Sequence, residues 1–219
     1  MKRLFAALAA GALLCFPTLL RADTPSGQPT EAEVPFVKSI SADLGARFAT
    51  TAAAERAGYE RYTNEDATGA ISYANRVWTS VDEKHPSQLW YDINGRLLGA
   101  DFSVLKTDEP PHLFGVDPSR WGTFPQHVHF GFKGSDGTTI YGGTSPKKIA
   151  AAGGDPLHPK AKDIVAAGIA KKPSDVLFTF PFPAIWDLAV WVIPNANGAF
   201  ADKNPAVHRV HPPTYDDHM

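Results

Sequence analysis

Leu89-Trp90-Tyr91-Asp92-Ile93-Asn94-Gly95-Arg96-Leu97-Leu98-Gly99-Ala100-Asp101-Phe102 is the stretch whose reading decides the fold. Asn94-Gly95 joins two residues suited to positive φ, and β-prone apolar runs flank them on both sides. The segment therefore predicts a tight type I′ hairpin. Along its second strand Leu98, Ala100 and Phe102 share one face, which leaves Gly99 and Asp101 on the other.

The same alternation extends outward in both directions. Ile71 to Ser80 reads as a strand, followed by a loop containing His85-Pro86. Val128 to Phe132 and Thr138 to Gly142 predict a second hairpin turning at Gly134-Ser135-Asp136-Gly137. Residues 107–126 hold Pro110, Pro111, Pro118 and Pro125 and read as a long irregular loop. Val176 to Phe180 and Trp186 to Ile193 are two further strands, the second apolar on both faces and so expected to be covered on both sides.

Helical spacing occurs twice. Val37, Ile40, Leu44, Phe48, Ala52 and Tyr59 predict an amphipathic helix over 41–58, with Ser39 or Ser41 as its N-cap. Pro159 suits a first helical position, and Ile164, Val165 and Ile169 give a shorter helix over 160–171. The expected fold is α+β: one globular domain over 36–200, with a mainly antiparallel sheet of about six strands and both helices packed on it. No internal repeat interrupts it.

The two ends read differently. Lys2 and Arg3 precede an apolar run from Leu4 to Phe16, Pro17 breaks it, and Ala22 offers a small residue for cleavage. That is the pattern of a secretory signal peptide over 1–22, too short for a membrane span of roughly 20 apolar residues. Residues 23–35, rich in Pro, Gly, Thr and acid, read as a flexible leader, and 201–219 as an irregular tail. Cleavage after Ala22 leaves 197 of 219 residues and removes the only cysteine, Cys15. Loss of Lys2, Arg3 and Arg21 moves the formal charge from −2 to −5. The mature chain is then expected to be exported, periplasmic or secreted, without thiol chemistry. Nucleic-acid binding and stable membrane insertion are not expected of it.

The strongest chemical pattern is Gln126-His127-Val128-His129-Phe130-Gly131-Phe132. In a strand His127 and His129 point the same way, about 7 Å apart, and Gly131 leaves room beside them. Two imidazoles so placed suit one divalent metal, zinc or copper, with Asp101 as the first choice for a third ligand. The competing reading makes them ordinary polar residues on the solvent face of a half-buried strand. His112 and His158 sit in loops, and His208, His211 and His218 in the tail, where flexibility accounts for them.

Asp187, set between Trp186 and Leu188, is the carboxylate best placed to be buried, either satisfied structurally or functional. Trp78, Trp90, Trp186 and Trp191 lie in strands and read as packing residues. Trp121 lies in the 107–126 loop, which is expected to close over the histidine face with Trp121 and Phe124 as its ligand-binding apolar surface. No nucleophile elbow, Walker loop or dinucleotide fingerprint occurs.

The hairpin quoted at the outset, taken with the later His-Val-His, resembles a stretch of the plant oil-body-associated proteins. The likeness covers about a quarter of the chain, a generic hairpin supplies much of it, and no function is carried over from it. The expected function is an exported protein that binds a small molecule or a metal, or serves as an accessory factor. The alternatives are a metal- or carboxylate-dependent enzyme acting on a small exported substrate, and a structural or envelope-interaction domain without a pocket.

Overall fold

The Asp92–Arg96 hairpin forms, with different turn chemistry. Asp92 donates its N–H to the Arg96 carbonyl, and the Gly95 N–H reaches the Asp92 carbonyl at 3.0 Å. The Asp92 carboxylate also accepts the N–H groups of Asn94 and Arg96. Of Asn94 and Gly95 only Gly95 has positive φ, at 74°. The expected type I′ turn is therefore replaced by a longer loop ending in a left-handed glycine, because the Asp92 carboxylate satisfies amides that a two-residue turn would have paired with backbone. The second hairpin repeats the device, with Gly137 at φ 82° and Asp136 accepting from Thr138.

A computed structural model describes residues 27–75 and 82–212, so the signal segment, Trp78 and His218 lie outside the described residues. The fold is α+β. Among the described residues the helices are α1 Val34–Arg47, α2 Thr51–Arg56, α3 Pro146–Ala151 and α4 Ala161–Ala166. The strands are β1 Glu60–Arg61, β2 Ile71–Ala74, β3 Gln88–Tyr91, β4 Leu97–Leu105, β5 Gly122–Phe124, β6 His127–Lys133, β7 Thr139–Thr144, β8 Val176–Phe182 and β9 Ile185–Trp191. A six-stranded sheet runs β1-β2-β3-β4-β9-β5, and a separate three-stranded sheet runs β7-β6-β8. Every strand pairing among the described residues is antiparallel. The second sheet arises because β6 pairs with β7 and β8 rather than with the edge of the larger sheet.

These sheets stack as layers. On one face of the large sheet Leu89, Tyr91, Ala100, Phe102, Leu188 and Val190 pack under Phe36, Ile40 and Leu44 of α1. On the far face of the small sheet Val128 and Phe130 pack on Ile149 of α3 and Ile164 of α4. Burial of this many aliphatic and aromatic side chains, each contributing about 1.5–3 kcal/mol, is the main source of stability.

The helix expected over 41–58 begins earlier and breaks in two. Pro35 occupies the first turn of α1, where its missing N–H costs nothing. Ala49 and Thr50 leave the helical path to bond the large sheet: the Ala49 carbonyl accepts from Leu97, and Thr50 bridges to Arg96. Thr50 then caps α2. The later helix is likewise shorter than expected, with Pro159 standing before the N-cap residue Lys160 and not inside α4.

The segment read as a flexible leader is anchored over its described part. Thr30 donates its N–H to Glu33 Oε2 at 2.8 Å, which orders the turn entering α1. Glu33 is 1% exposed and receives Arg120 Nη2 at 3.1 Å, with the Asp117 N–H on its other oxygen. Arg120 also donates to the Gln28 carbonyl. Burial pushes the Glu33 carboxyl up, but bonds from Arg120, Thr30 and Asp117 outweigh it and hold the group below its ordinary value. The tail carries no helix or strand through residue 212, yet it is held rather than flexible: the buried Glu65 carboxylate accepts the N–H groups of Val210 and His211.

Arg120→Ala leaves Glu33 buried without its cation and is expected to cost about 3–5 kcal/mol in urea unfolding at neutral pH. Because the folded-state pKa of Glu33 is lowered, its contribution is complete above the ordinary glutamate value of about 4.3 and fades as pH falls through the folded value. The gap between wild type and variant should narrow over that acid range. A gap that stays constant there refutes the assignment.

Candidate functional site

Strand β4 carries a second set of residues, Gly99, Asp101, Ser103 and Leu105, on the face away from α1. Register places Gln88 of β3 opposite Asp101, and Asp187 of β9 opposite Ser103. This face is largely buried as well: Asp101 is 7% exposed, Ser103 9% and Asp187 6%. What covers it is Tyr62 and, beyond Tyr62, the small sheet. The Tyr62 hydroxyl donates to Gln88 Oε1, and its ring stands edge-on to His129 with centroids 4.8 Å apart.

The polar groups between the sheets satisfy one another. Trp90 Nε1–H donates to Asp101 Oδ2 at 2.6 Å. Ser87 donates to Ser103 Oγ at 2.8 Å, and Ser103 donates to Asp187 Oδ1 at 2.6 Å. Burial, and then the neighbouring Asp187 charge, push Asp101 well above the ordinary carboxylate range. Burial pushes Asp187 up to about 6, opposed by hydrogen bonds from Ser103 and Asp101. Asp101 thus keeps its proton and donates it to Asp187, an arrangement that two close carboxyls adopt when both cannot ionise.

His127 and His129 share a face of β6, as expected, but that face turns inward. They are 6% and 7% exposed, packed against Phe182 and Phe180 of β8. The solvent-face reading fails because alternation separates the two faces of a strand without saying that only one will be covered. His127 Nδ1 lies 2.8 Å from the Pro125 carbonyl, so that nitrogen carries the proton. The two Nε2 atoms are 2.8 Å apart, so His129 Nε2–H donates to His127 Nε2. Burial, and then His127, push His129 down to about 3. Burial also lowers His127, opposed by its bond to Pro125, and both rings are neutral at neutral pH.

Asp101 does not complete a metal site with them. It is committed to Trp90 and Asp187, and no group of three His, Cys, Asp or Glu side chains converges among the described residues. His158 is exposed and bonded to Asp155, His211 to Glu65, and His112 is exposed. Trp121 and Phe124 do not cover the histidines. Trp121 is 4% exposed and belongs to the core beneath α1, beside Phe114 at 6.3 Å, while Phe124 lies 46% exposed on the edge strand β5. The Glu33–Arg120 pair draws this loop to the α1 side of the large sheet.

A groove of about 490 Å³ opens between the two sheets. Ser87, Gln88 and Ser103 form a polar floor; Leu105, Phe180 and Phe182 are among its apolar sides. Tyr62 and Gln88 escaped the sequence reading. Gln88 was within reach of it, since the hairpin register alone sets it across from Asp101. The spacing of Phe178, Phe180 and Phe182 also announces an aromatic face. Comparison with known protein families, with curated proteins and with solved structures finds no match to this chain.

The raised Asp187 pKa fixes a pH dependence. A carboxyl whose folded pKa exceeds its unfolded value of about 3.9 contributes stability that is complete below that value and lost as pH rises through the folded one. Thermal unfolding should therefore show stability declining from about pH 4 through about 6 as Asp187 ionises. Asp187→Asn keeps an acceptor for Ser103 and should flatten that decline. An unaltered profile in the variant rules out Asp187 as its source.

Proposed function

We propose that this protein binds a small, mainly apolar ligand with a hydrogen-bonding end group in the groove between its two sheets. The observation that carries the reading is the composition of that groove: a volume of about 490 Å³, aromatic and aliphatic sides, and Ser87, Gln88 and Ser103 at its floor. Concave, largely apolar cavities of roughly 300–1,000 Å³ with a few convergent polar groups are the usual form of small-molecule sites. The polar end of the ligand meets the floor, where Ser103 already donates to Asp187 and its backbone N–H is taken by Ser87. Leu105 is 66% exposed, an apolar surface that a ligand would cover.

The site of action belongs to the same proposal. The support for an exported protein is the Lys2-Arg3 pair followed by the apolar run from Leu4 to Phe16, the pattern of a secretory signal. A second reading, a carboxylate-dependent enzyme working at this groove, draws on one observation, the two carboxyls of Asp101 and Asp187 buried behind Ser103, which donates to Asp187. Under that reading wild type turns over a ligand that Asp187→Asn binds and releases unchanged.

Titration with Nile red, a neutral environment-sensitive dye, tests the groove. Wild type should bind it saturably at one site, and Leu105→Glu, at a position too exposed to unfold the chain, should weaken binding about tenfold, the equivalent of 1.4 kcal/mol. Equal binding by both proteins removes the groove as the site. Export is read separately by amino-terminal sequencing of the secreted chain, which should begin at Asp23.

A further inference from the structure

We infer that the ligand of the groove between the two sheets is an organic cation, an amphipathic primary amine whose ammonium group rests on the hydroxyls of Ser87 and Ser103. This depends on the groove reading proposed above and narrows its end group from any hydrogen-bonding one to a positively charged donor.

The hydroxyl protons at the floor are already spent inside the protein. Ser103 Oγ donates to Asp187 Oδ1 at 2.6 Å. Ser87 has one hydroxyl proton and two acceptors in reach, Ser103 Oγ at 2.8 Å and the Asp101 carbonyl at 3.1 Å. The Tyr62 hydroxyl donates to Gln88 Oε1. Ser87 Oγ also accepts the Ser103 N–H at 2.8 Å. A hydroxyl oxygen has two lone pairs, so each serine keeps one for a ligand and has no proton left to give it. The side-chain amide of Gln88 is the one remaining donor among the three floor residues. Such a floor suits a group that brings several protons of its own, as an ammonium does.

Charge selects the same group. No Arg, Lys, His, Asp or Glu is among the described residues that line the groove. Behind the floor are the buried carboxyls of Asp101 and Asp187, the latter one hydrogen bond away through Ser103. No ion pair among the described residues reaches either of them. Lys106, which follows β4, is turned to the opposite side, over the Trp186 ring at 4.1 Å. Burial keeps the imidazoles beyond Tyr62, His127 and His129, neutral. Asp101 retains its proton, while Asp187, pushed up to about 6 by burial, ionises above that pH. A negative charge in such a place is costly without a cation, and an ammonium on Ser103 supplies one. Phe180 and Phe182 on the groove wall add aromatic rings, whose faces attract cations within about 6 Å. A carboxylate in the same position would meet the Asp187 charge with only the Gln88 amide to donate to it.

The test is displacement of Nile red by three eight-carbon probes at about pH 7.5, where octylamine is protonated, octanoate is ionised and octanol is neutral. Sodium chloride at about 0.5 M screens the acidic surface, so that the probes report the groove. Octylamine should displace the dye at a concentration about tenfold below that of octanol, and octanoate should need at least about tenfold more than octanol. In Asp187→Asn octylamine should fall to within about twofold of octanol. Octylamine no stronger than octanol in wild type, or octanoate the strongest of the three, overturns the cation and leaves the groove standing. An amine preference unchanged in Asp187→Asn overturns it as well. If the dye does not bind saturably, or no probe displaces it, the groove itself is not the site and the cation falls with it. Should circular dichroism show that Asp187→Asn does not fold, the order of the three probes on wild type decides alone.

Discussion

Two carboxyl groups, Asp101 and Asp187, are buried on the face of the large sheet that turns away from α1, and the rest of the architecture answers to that fact. An isolated carboxylate in such a place is untenable, so each oxygen must find a donor or the group must hold its proton. Trp90 and Ser103 supply donors, and one shared proton removes one of the two charges. The face still has to be shielded from bulk water over several strands. Tyr62 and the β7-β6-β8 sheet do this, and they bring their own polar pair, His127 and His129, into the same interior. Polar groups between the layers are thus mutually satisfied with few exceptions, and the exception that matters is His129 Nδ1.

Phe180 and Phe182 occupy a position with two sides. Their rings lie against His127 and His129, and they also form part of the groove between the sheets. The two rings are therefore a common wall between the imidazole pair and the groove.

Period-two alternation made the β4 and β6 segments legible, down to which residues share a face. It could not say that both faces of β4 would be buried, because burial of the second face depends on a sheet assembled from residues 127–182, far along the chain. The same gap explains the histidines, correctly paired on one face but expected beneath the 107–126 loop or in solvent and not between two sheets. Trp121 was misplaced for a different reason. A tryptophan in a proline-rich loop suggests a lid, yet a buried pair between Glu33 and Arg120 pins that loop beneath α1, where the indole gains more by joining an existing core. The start of α1 was in fact written in the sequence: Thr30 followed at three residues by Glu33 is a helix-entry signature, obscured by the Pro- and Gly-rich residues before it.

The pairing register of the two sheets has a consequence for how the chain is organised. Phe124 of β5 is the ladder partner of Ile185 of β9, and His127 of β6 is the partner of Phe182 of β8. The chain leaves the large sheet and re-enters it at adjoining points, so residues 127–182 form a cassette whose two ends sit about 5 Å apart. The large sheet is continuous without it, since β5 and β9 already lie side by side and need only a tight turn between them. Seen this way, the fold is a helix-backed sheet into which a second layer has been spliced at one rung. The weakened acidity of Asp101 and Asp187 is then owed in large part to the insert, which closes over Tyr62 and keeps water from both carboxyls.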